Sequence, residues 1–239
     1  MTTIFQQSTT CAHCGTKNEV VGIGSTNAFG SMDLDMRPPP MDRDTLIHRI
    51  HRCEGCGYCA PDLEKWVGRD GSLESREYQA ILADEGYPDL ARAFVAYAFL
   101  SESSGDLGAA AWAHRNAAWV CDDQANEYLD SARKCRNAVL RLLKGLHLNG
   151  QFFTNDHVTD SILELDLLRR SGQHDEVQTR ARALSNTTLP GMLSSIISFQ
   201  QRLATAGDSS CYKVSDALEQ NPEQVSLHDE IATREKSSK

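Results

Sequence analysis

The pattern CxxCG occurs twice in the N-terminal part of the chain, and this repetition constrains the fold more than any other feature. In each copy two thiols lie close together on a tight turn, and the glycine lets the backbone turn back so that its amides face the sulfurs. Two such turns brought together form a tetrahedral site of four thiolates. We therefore expect one structural zinc ion per chain. The expected ligands are Cys11, Cys14, Cys53 and Cys56.

Three other uses of the same cysteines remain open. Rubredoxin-type proteins pair two CxxCG turns around a single redox-active iron, usually among more aromatic residues than this sequence offers. The run from Cys53 to Cys59 is similar to the CxxCxxC of bacterial ferredoxins, but Leu63 stands where the fourth cysteine belongs. A redox dithiol normally opens a helix in a βαβ unit, and no such unit is predicted here.

Other residues near the two turns are candidate replacement ligands: Cys59, His13, His48 and His51. Four cysteines already complete a tetrahedron, so we expect Cys59 to pack beneath the turn and the histidines to lie at the surface or beside the ligands. A catalytic zinc needs an open coordination position and an acid-base group such as the HxE of zinc deaminases. Neither CxxC is preceded by one, which favours a protein that is not an enzyme.

Net charge and cysteine usage limit the class of protein. With 33 acidic and 24 basic residues among 239, the net charge is -9, which disfavours a general nucleic-acid surface. Arg43, Arg49 and Arg52 form a local basic group before the second turn, so a regulator that contacts nucleic acid through the zinc ribbon remains the alternative. The eight cysteines suit a reducing compartment, and no signal peptide or membrane span is evident. We expect a cytoplasmic protein with no membrane partner.

The texture of the sequence predicts a mainly α protein in three parts. Residues 1–70 read as a small β-rich zinc-ribbon head with strands at 18–23 and 45–52. Residues 71–206 read as antiparallel helical hairpins, and residues 207–239 as a polar, largely disordered tail with a short helix near 214–218. The helices are expected at 73–85 after Ser72, 88–104, 106–121, 124–147, 158–170, 174–185 and 190–206.

Two helix pairs in the body share features of a repeat. In the first, Phe94, Tyr97 and Ala98 precede Gly105, and Ala110 and Ala117 follow it. In the second, Leu165 precedes Gly172, and Val177, Ala181 and Pro190 follow. These segments resemble tetratricopeptide repeats, whose glycine lies in the turn between helices; an irregular helical bundle is the alternative.

The helical body also contains aromatic and histidine side chains that suggest packing. Trp112 and Trp119 are seven residues apart on one helical face, which favours core stacking. His114 falls at an inward position and is expected to be a packing histidine.

The chain resembles an uncharacterised bacterial family that joins a cysteine-rich head to a tetratricopeptide-like body. The resemblance rests on Cys11, Cys14, Gly15, Cys53, Cys56, Gly57 and Tyr58, and on the helix pair containing Gly105, Leu107 and Ala110. The chain departs from that pattern at Cys59 and in its extended C-terminal helices. The resemblance implies the architecture and no activity. We expect a non-enzymatic scaffold whose helical surface binds a protein or peptide.

Overall fold

The computed structural model describes residues 1–124, 126–154 and 156–219, and this part of the chain divides into two compact units. The first unit contains residues 1–29 and 39–153. The second contains residues 30–38, Thr154 and residues 156–219. The second unit therefore takes a short piece from the middle of the predicted head. The predicted domain limits at residues 70 and 206 remain a prediction, because the two units meet at other residues.

The first unit begins with an antiparallel hairpin of β1 (Thr3–Thr10) and β2 (Lys17–Ser25). The pair closes at Thr10 opposite Lys17, so the first cysteine turn lies at the tip of the hairpin. The sequence predicts the core of β2 but not β1, whose polar Gln and Thr side chains are almost all exposed. Pairing with the β-branched residues of β2 satisfies the backbone of β1 even though it buries little side-chain surface.

The predicted strand at 45–52 is largely wrong. Residues Arg43–His48 form a 3-10 helix, and only β3 (His51–Arg52) is extended, paired with β4 (Cys59–Ala60). The hydroxyl of Thr45 donates to the carbonyl of Asp42 at 2.7 Å, and Arg49 forms an ion pair with the Asp42 carboxylate. These local bonds give the backbone an alternative to a β ladder.

Four helices complete the first unit: α1 (Arg76–Ala83), α2 (Asp89–Ser104), α3 (Leu107–Asp122) and α4 (Leu129–Leu148). Gly105 ends α2 with a φ of 89°, and the Asp106 carboxylate then accepts a hydrogen bond from Ala109 N–H to cap α3. The buried face of α2 and α3 is rich in alanine, which lets the two helices pack closely. Helix α4 starts later than expected, because Asn126 adopts a φ of 74° and interrupts the helical path.

The second unit contains α5 (His157–Arg170), α6 (His174–Ser185), α7 (Gly191–Thr205) and the short α8 (Val214–Glu219). Gly172, with a φ of 78°, turns the chain between α5 and α6. The core of this unit is formed by Leu163, Leu165, Val177, Ile197 and Phe199.

A buried guanidinium links these helices to the residues after them. Arg169 donates to the carbonyls of Asp208 at 2.9 Å and Ser210 at 2.8 Å, and to the Asp166 carboxylate at 2.7 Å and the Gln200 side chain at 2.6 Å. Residues 207–219 thus hold a defined place, and the short helix expected near 214–218 is present as α8. The rest of the predicted tail, residues 220–239, lies outside the described residues.

The predicted fold class is confirmed: the chain is mainly helical with a small antiparallel β region near the N-terminus. The two candidate repeats lie one in each unit, α2 with α3 and α5 with α6. Their likeness to tetratricopeptide repeats remains a prediction. Among the helices of the described ranges, none combines the length and apolar character needed to cross a lipid bilayer.

Candidate metal centre

Each CxxCG copy folds into a turn with the same backbone hydrogen bonds. In the first turn, Cys11 N–H donates to the Thr16 carbonyl and Gly15 N–H donates to the Cys11 carbonyl, both at 2.9 Å. Gly15 has a φ of 74°, a left-handed conformation that glycine adopts without the steric cost of a Cβ. The turn closes the β1–β2 hairpin.

The second turn repeats this arrangement position by position. Cys53 N–H donates to the Tyr58 carbonyl at 2.8 Å, Gly57 N–H donates to the Cys53 carbonyl at 2.9 Å, and Gly57 has a φ of 77°. This turn joins β3 to β4. Two equivalent turns on two hairpins are what the repeated motif predicts.

The structure brings the four predicted cysteines together. Their Sγ atoms all lie within 4.8 Å of one another, with Cys11 and Cys56 3.7 Å apart and Cys14 and Cys53 3.6 Å apart. A tetrahedral ion with metal–sulfur bonds of about 2.3 Å places its sulfurs about 3.8 Å apart. A disulfide requires about 2.05 Å. The cluster therefore has the dimensions of a site for one metal ion bound by four cysteines.

No protein family, curated protein or solved structure matched the chain in comparisons with known proteins.

Asn18 is a residue of the site that sequence reasoning missed. Its buried side chain donates to the Cys53 sulfur at 3.6 Å and to the Thr16 carbonyl at 2.9 Å, and its Oδ1 accepts from Glu54 N–H at 2.9 Å. One amide thus joins both cysteine turns. The available signal was an asparagine at the start of a strand, where this residue type is depleted.

Burial raises the pKa values of the thiols, whereas hydrogen bonding lowers them. Burial raises the pKa of Cys11 and of Cys56 above the usual value of a thiol. Hydrogen bonding by the Thr16 hydroxyl lowers the pKa of the exposed Cys14 to about 6. Backbone N–H groups of Thr16 and Tyr58 face Cys14 and Cys56 and favour their thiolates. A bound divalent cation stabilises all four thiolates.

Cys59 lies outside the cluster. Its side chain is buried, and its N–H donates at 3.1 Å to the Tyr78 hydroxyl, which in turn donates to the Gly57 carbonyl at 2.9 Å. Burial raises the pKa of Cys59 to about 11. The side chain thus packs beneath the second turn, as the sequence predicts.

The three neighbouring histidines also lie outside the four-cysteine group. His13 stacks on Trp66 with ring centroids 5.0 Å apart, and its Nε2 is 3.3 Å from the Glu74 carboxylate. His48 and His51 line a cavity of about 280 Å³ beside β2. In the ranges that the structure describes, the four cysteines alone form a cluster of metal-ligating side chains.

A second, larger concavity of about 440 Å³ lies in the first unit between the head and the helices. Apolar and aromatic residues form most of its wall: Ile23, Pro61, Tyr97, Ala109 and Trp112. Trp112 meets Phe94 and Tyr97 edge-on, at 5.5 and 6.2 Å between ring centroids, while Trp119 is buried. The tryptophan stripe therefore packs the body, as expected, and Trp112 also shows one edge to this concavity.

The basic group before the second turn is partly neutralised within the chain. Arg49 lies at the rim of the larger concavity and forms an ion pair with Asp42. Because residues 43–48 form a 3-10 helix, the arginines do not share the face of one cationic strand. This geometry gives a nucleic-acid interface no added support.

Proposed function

We propose that the chain is a non-enzymatic interaction protein whose head is stabilised by one structural zinc ion bound to Cys11, Cys14, Cys53 and Cys56. The observation that supports the zinc site is the set of four sulfurs, which all lie within 4.8 Å of one another and include two pairs at 3.6 and 3.7 Å. Four thiolates complete the tetrahedron, so no coordination position remains for a substrate. The ion contributes folding free energy to a hairpin pair that has little apolar core of its own.

A single metal ion is favoured over an iron–sulfur cluster on geometric grounds. An iron–sulfur cluster distributes its four thiolates over several irons, and the short sulfur–sulfur edges suit one ion instead. A single rubredoxin-like iron has the same dimensions as zinc. Tyr58 and Trp66 lie beside the second turn with ring centroids 5.1 Å apart, so the surroundings are more aromatic than the sequence suggests.

Metal analysis with cysteine variants tests the centre. We expect one zinc per purified chain and no visible absorbance after anaerobic preparation. Cys56→Ser should lose the metal because the tetrahedron loses a thiolate, whereas Cys59→Ala, the matched control, should retain it. A coloured protein with stoichiometric iron, or a full zinc load in Cys56→Ser, would overturn the assignment.

The interaction role is supported by the apolar concavity beside the head. Its wall offers aromatic and aliphatic side chains in one place, which is the composition of surfaces that hold an apolar anchor of a peptide. We take the partner to be an extended peptide segment with an apolar side chain. The head positions Ile23 and Pro61 on one side of this surface, and α2 and α3 position Tyr97 and Trp112 on the other.

A blocking substitution tests this surface without removing core contacts. Ala109 is half-buried at the concavity, so Ala109→Arg should fill it, while Ala83→Arg on an exposed turn of α1 is the matched control. A partner identified by affinity purification from the native host should be lost with Ala109→Arg and retained with Ala83→Arg. Equal recovery of that partner by both variants would rule out this surface.

A further inference from the structure

Residues 30–38 lie, in sequence, between the two cysteine turns, yet they belong to the second unit. We call them the strap. The chain on either side of the strap belongs to the first unit, where Ala28 and Met41 form an antiparallel bridge and Phe29 N–H donates to the Pro40 carbonyl at 3.4 Å. The residues that flank the strap are therefore held close together within the first unit.

The strap pairs with the chain that precedes α8. Leu34 N–H donates to the Tyr212 carbonyl and Val214 N–H donates to the Met32 carbonyl, both at 2.9 Å, on either side of a bridge between Asp33 and Lys213. Ser31 Oγ accepts from Ser215 N–H at 3.0 Å. The backbone at the start of α8 thus depends on the strap for its hydrogen bonds.

A buried ion pair anchors the strap to α5. The Arg170 guanidinium donates to the Asp35 carboxylate at 2.6 Å, and the side chains of the two residues are only 6% and 1% exposed. Losing one member of such a pair leaves the other charge buried without it, which is strongly unfavourable. The helices of the second unit therefore need the strap in place.

The strap combines an internal turn with burial in the second unit. Met36 adopts a φ of 66°, a left-handed conformation that disfavours a side chain, and it is kept there by a tight turn in which Asp33 N–H donates to the Arg37 carbonyl at 2.9 Å. Leu34 and Arg37 are buried in the second unit. The conformation of the strap thus depends on what its two ends and its tip contact.

We propose that the strap couples metal binding at the four-cysteine centre to folding of α5–α8, so that each stabilises the other. A metal ion that joins Cys14 to Cys53 closes the loop of chain that contains the strap. Closing this loop lowers the conformational entropy that is lost when the strap orders against α5 and α8. Coupling of this kind is reciprocal, so a weakened strap weakens metal binding. This inference rests on the proposed zinc site.

Competition with a chromophoric chelator tests the coupling from the side of the strap. Asp35→Asn removes the charge that faces Arg170, although Asp35 belongs to the other unit from the cysteines. Zinc affinity of the full chain should fall about tenfold. The control Asp44→Asn changes an exposed carboxylate in the same loop and should leave affinity unchanged. Equal affinities of the two variants would overturn the coupling.

Hydrogen exchange on the unmodified chain tests the coupling from the side of the metal. Removing zinc with a chelator should raise amide exchange about tenfold or more in peptides covering α5 and residues 211–219. Unchanged amide exchange in these peptides, in a protein shown to have bound and then lost one zinc, would contradict the coupling through the strap. It would not contradict the zinc site. Failure to bind zinc at all would instead remove the proposed function.

Discussion

At the scale of single residues, Asn18 determines how well the two cysteine turns are held together. We expect Asn18→Ala to weaken zinc affinity about 10- to 100-fold, because groups that orient a metal ligand contribute affinity of this order. Metal competition measures the effect. Asn27→Ala is the control, since Asn27 is exposed beyond the end of β2. If both variants bind zinc as tightly as the unmodified chain, the amide is not part of the metal centre.

His114 on α3 gives the first unit a predictable response to acid. Its Nδ1 is shielded from solvent and has no hydrogen-bond partner among the described residues. Burial lowers the pKa of His114 to about 4, while Glu102 raises it and Arg141 lowers it by smaller amounts. The unfolded chain therefore binds more protons than the folded chain below the ordinary histidine pKa of about 6.5.

We expect the free energy of unfolding to fall by about 3 kcal/mol through His114 as the pH drops from about 6.5 to 4. The term is fully favourable above pH 6.5 and is lost as the pH approaches the folded-state value. Urea unfolding of the unmodified chain and His114→Gln at pH 7 and pH 4.5 measures it. Acid release of metal affects both proteins, so their difference isolates the histidine. Parallel pH profiles would contradict the assignment.

At the scale of elements, Gly105 in the α2–α3 turn and Gly108 in α3 should respond in opposite ways to the same substitution. Gly105 ends α2 with a φ of 89°, and a Cβ there would meet no atom within 4 Å, so the cost of Gly105→Ala is conformational. We expect it to lower stability by roughly 1 kcal/mol. Gly108→Ala, three residues later within α3, should raise stability by about 0.5–1 kcal/mol.

Thermal unfolding of the two glycine variants compares the same substitution in two conformations. Opposite shifts of the melting temperature are expected. An unchanged or raised melting temperature of Gly105→Ala would mean that the α2–α3 turn does not require a left-handed residue at position 105.

Element boundaries show where sequence reasoning succeeded and where it failed. The predicted bounds of α5, α6 and α7 agree with the structure to within one residue at each end. The start of α1 was misplaced because two serines, both good caps, stand three residues apart. Ser72 accepts from Arg69 N–H at 3.1 Å to close a turn, and Ser75 accepts from Tyr78 N–H at 3.2 Å to cap the helix. Only the burial of Leu73 in the folded chain decides between them.

The four-cysteine site was predictable from the sequence because the shape of each cysteine turn depends on residues close together in the chain. Both cysteine turns are built from hydrogen bonds among residues five apart or closer, so the repeated CxxCG motif predicts their shape. The role of Asn18 depends on Glu54 and Cys53, far away in sequence, and no local pattern reveals such a contact. The contacts of the strap are hidden from the sequence for the same reason, since Arg170, which binds Asp35, comes late in the chain.

At the scale of the whole molecule, the contacts of the strap indicate that the helices after residue 70 need residues 30–38 for their full stability. A fragment of residues 71–219 lacks Asp35, so the buried Arg170 loses the ion pair with this carboxylate, and we expect the second unit to lose about 3–5 kcal/mol of stability. The same fragment with Arg170→Leu should recover part of that loss, because it removes the buried charge. Circular dichroism during thermal unfolding measures both. A fragment as stable as the full chain would show that residues 71–206 form a domain, as the sequence predicts.

The hydrogen bonds from Arg169 to the chain after α7 determine which substitutions this region tolerates. The guanidinium binds the backbone carbonyls of Asp208 and Ser210, which every amino acid supplies. The Asp208 carboxylate adds bonds of its own, since it accepts from Ser210 N–H at 2.7 Å and from the Tyr212 hydroxyl at 2.6 Å. Substitutions should therefore be tolerated better at Ser210 than at Asp208 or Arg169. A polar stretch can thus keep a fixed path, because one of the residues that specify this path lies on another helix.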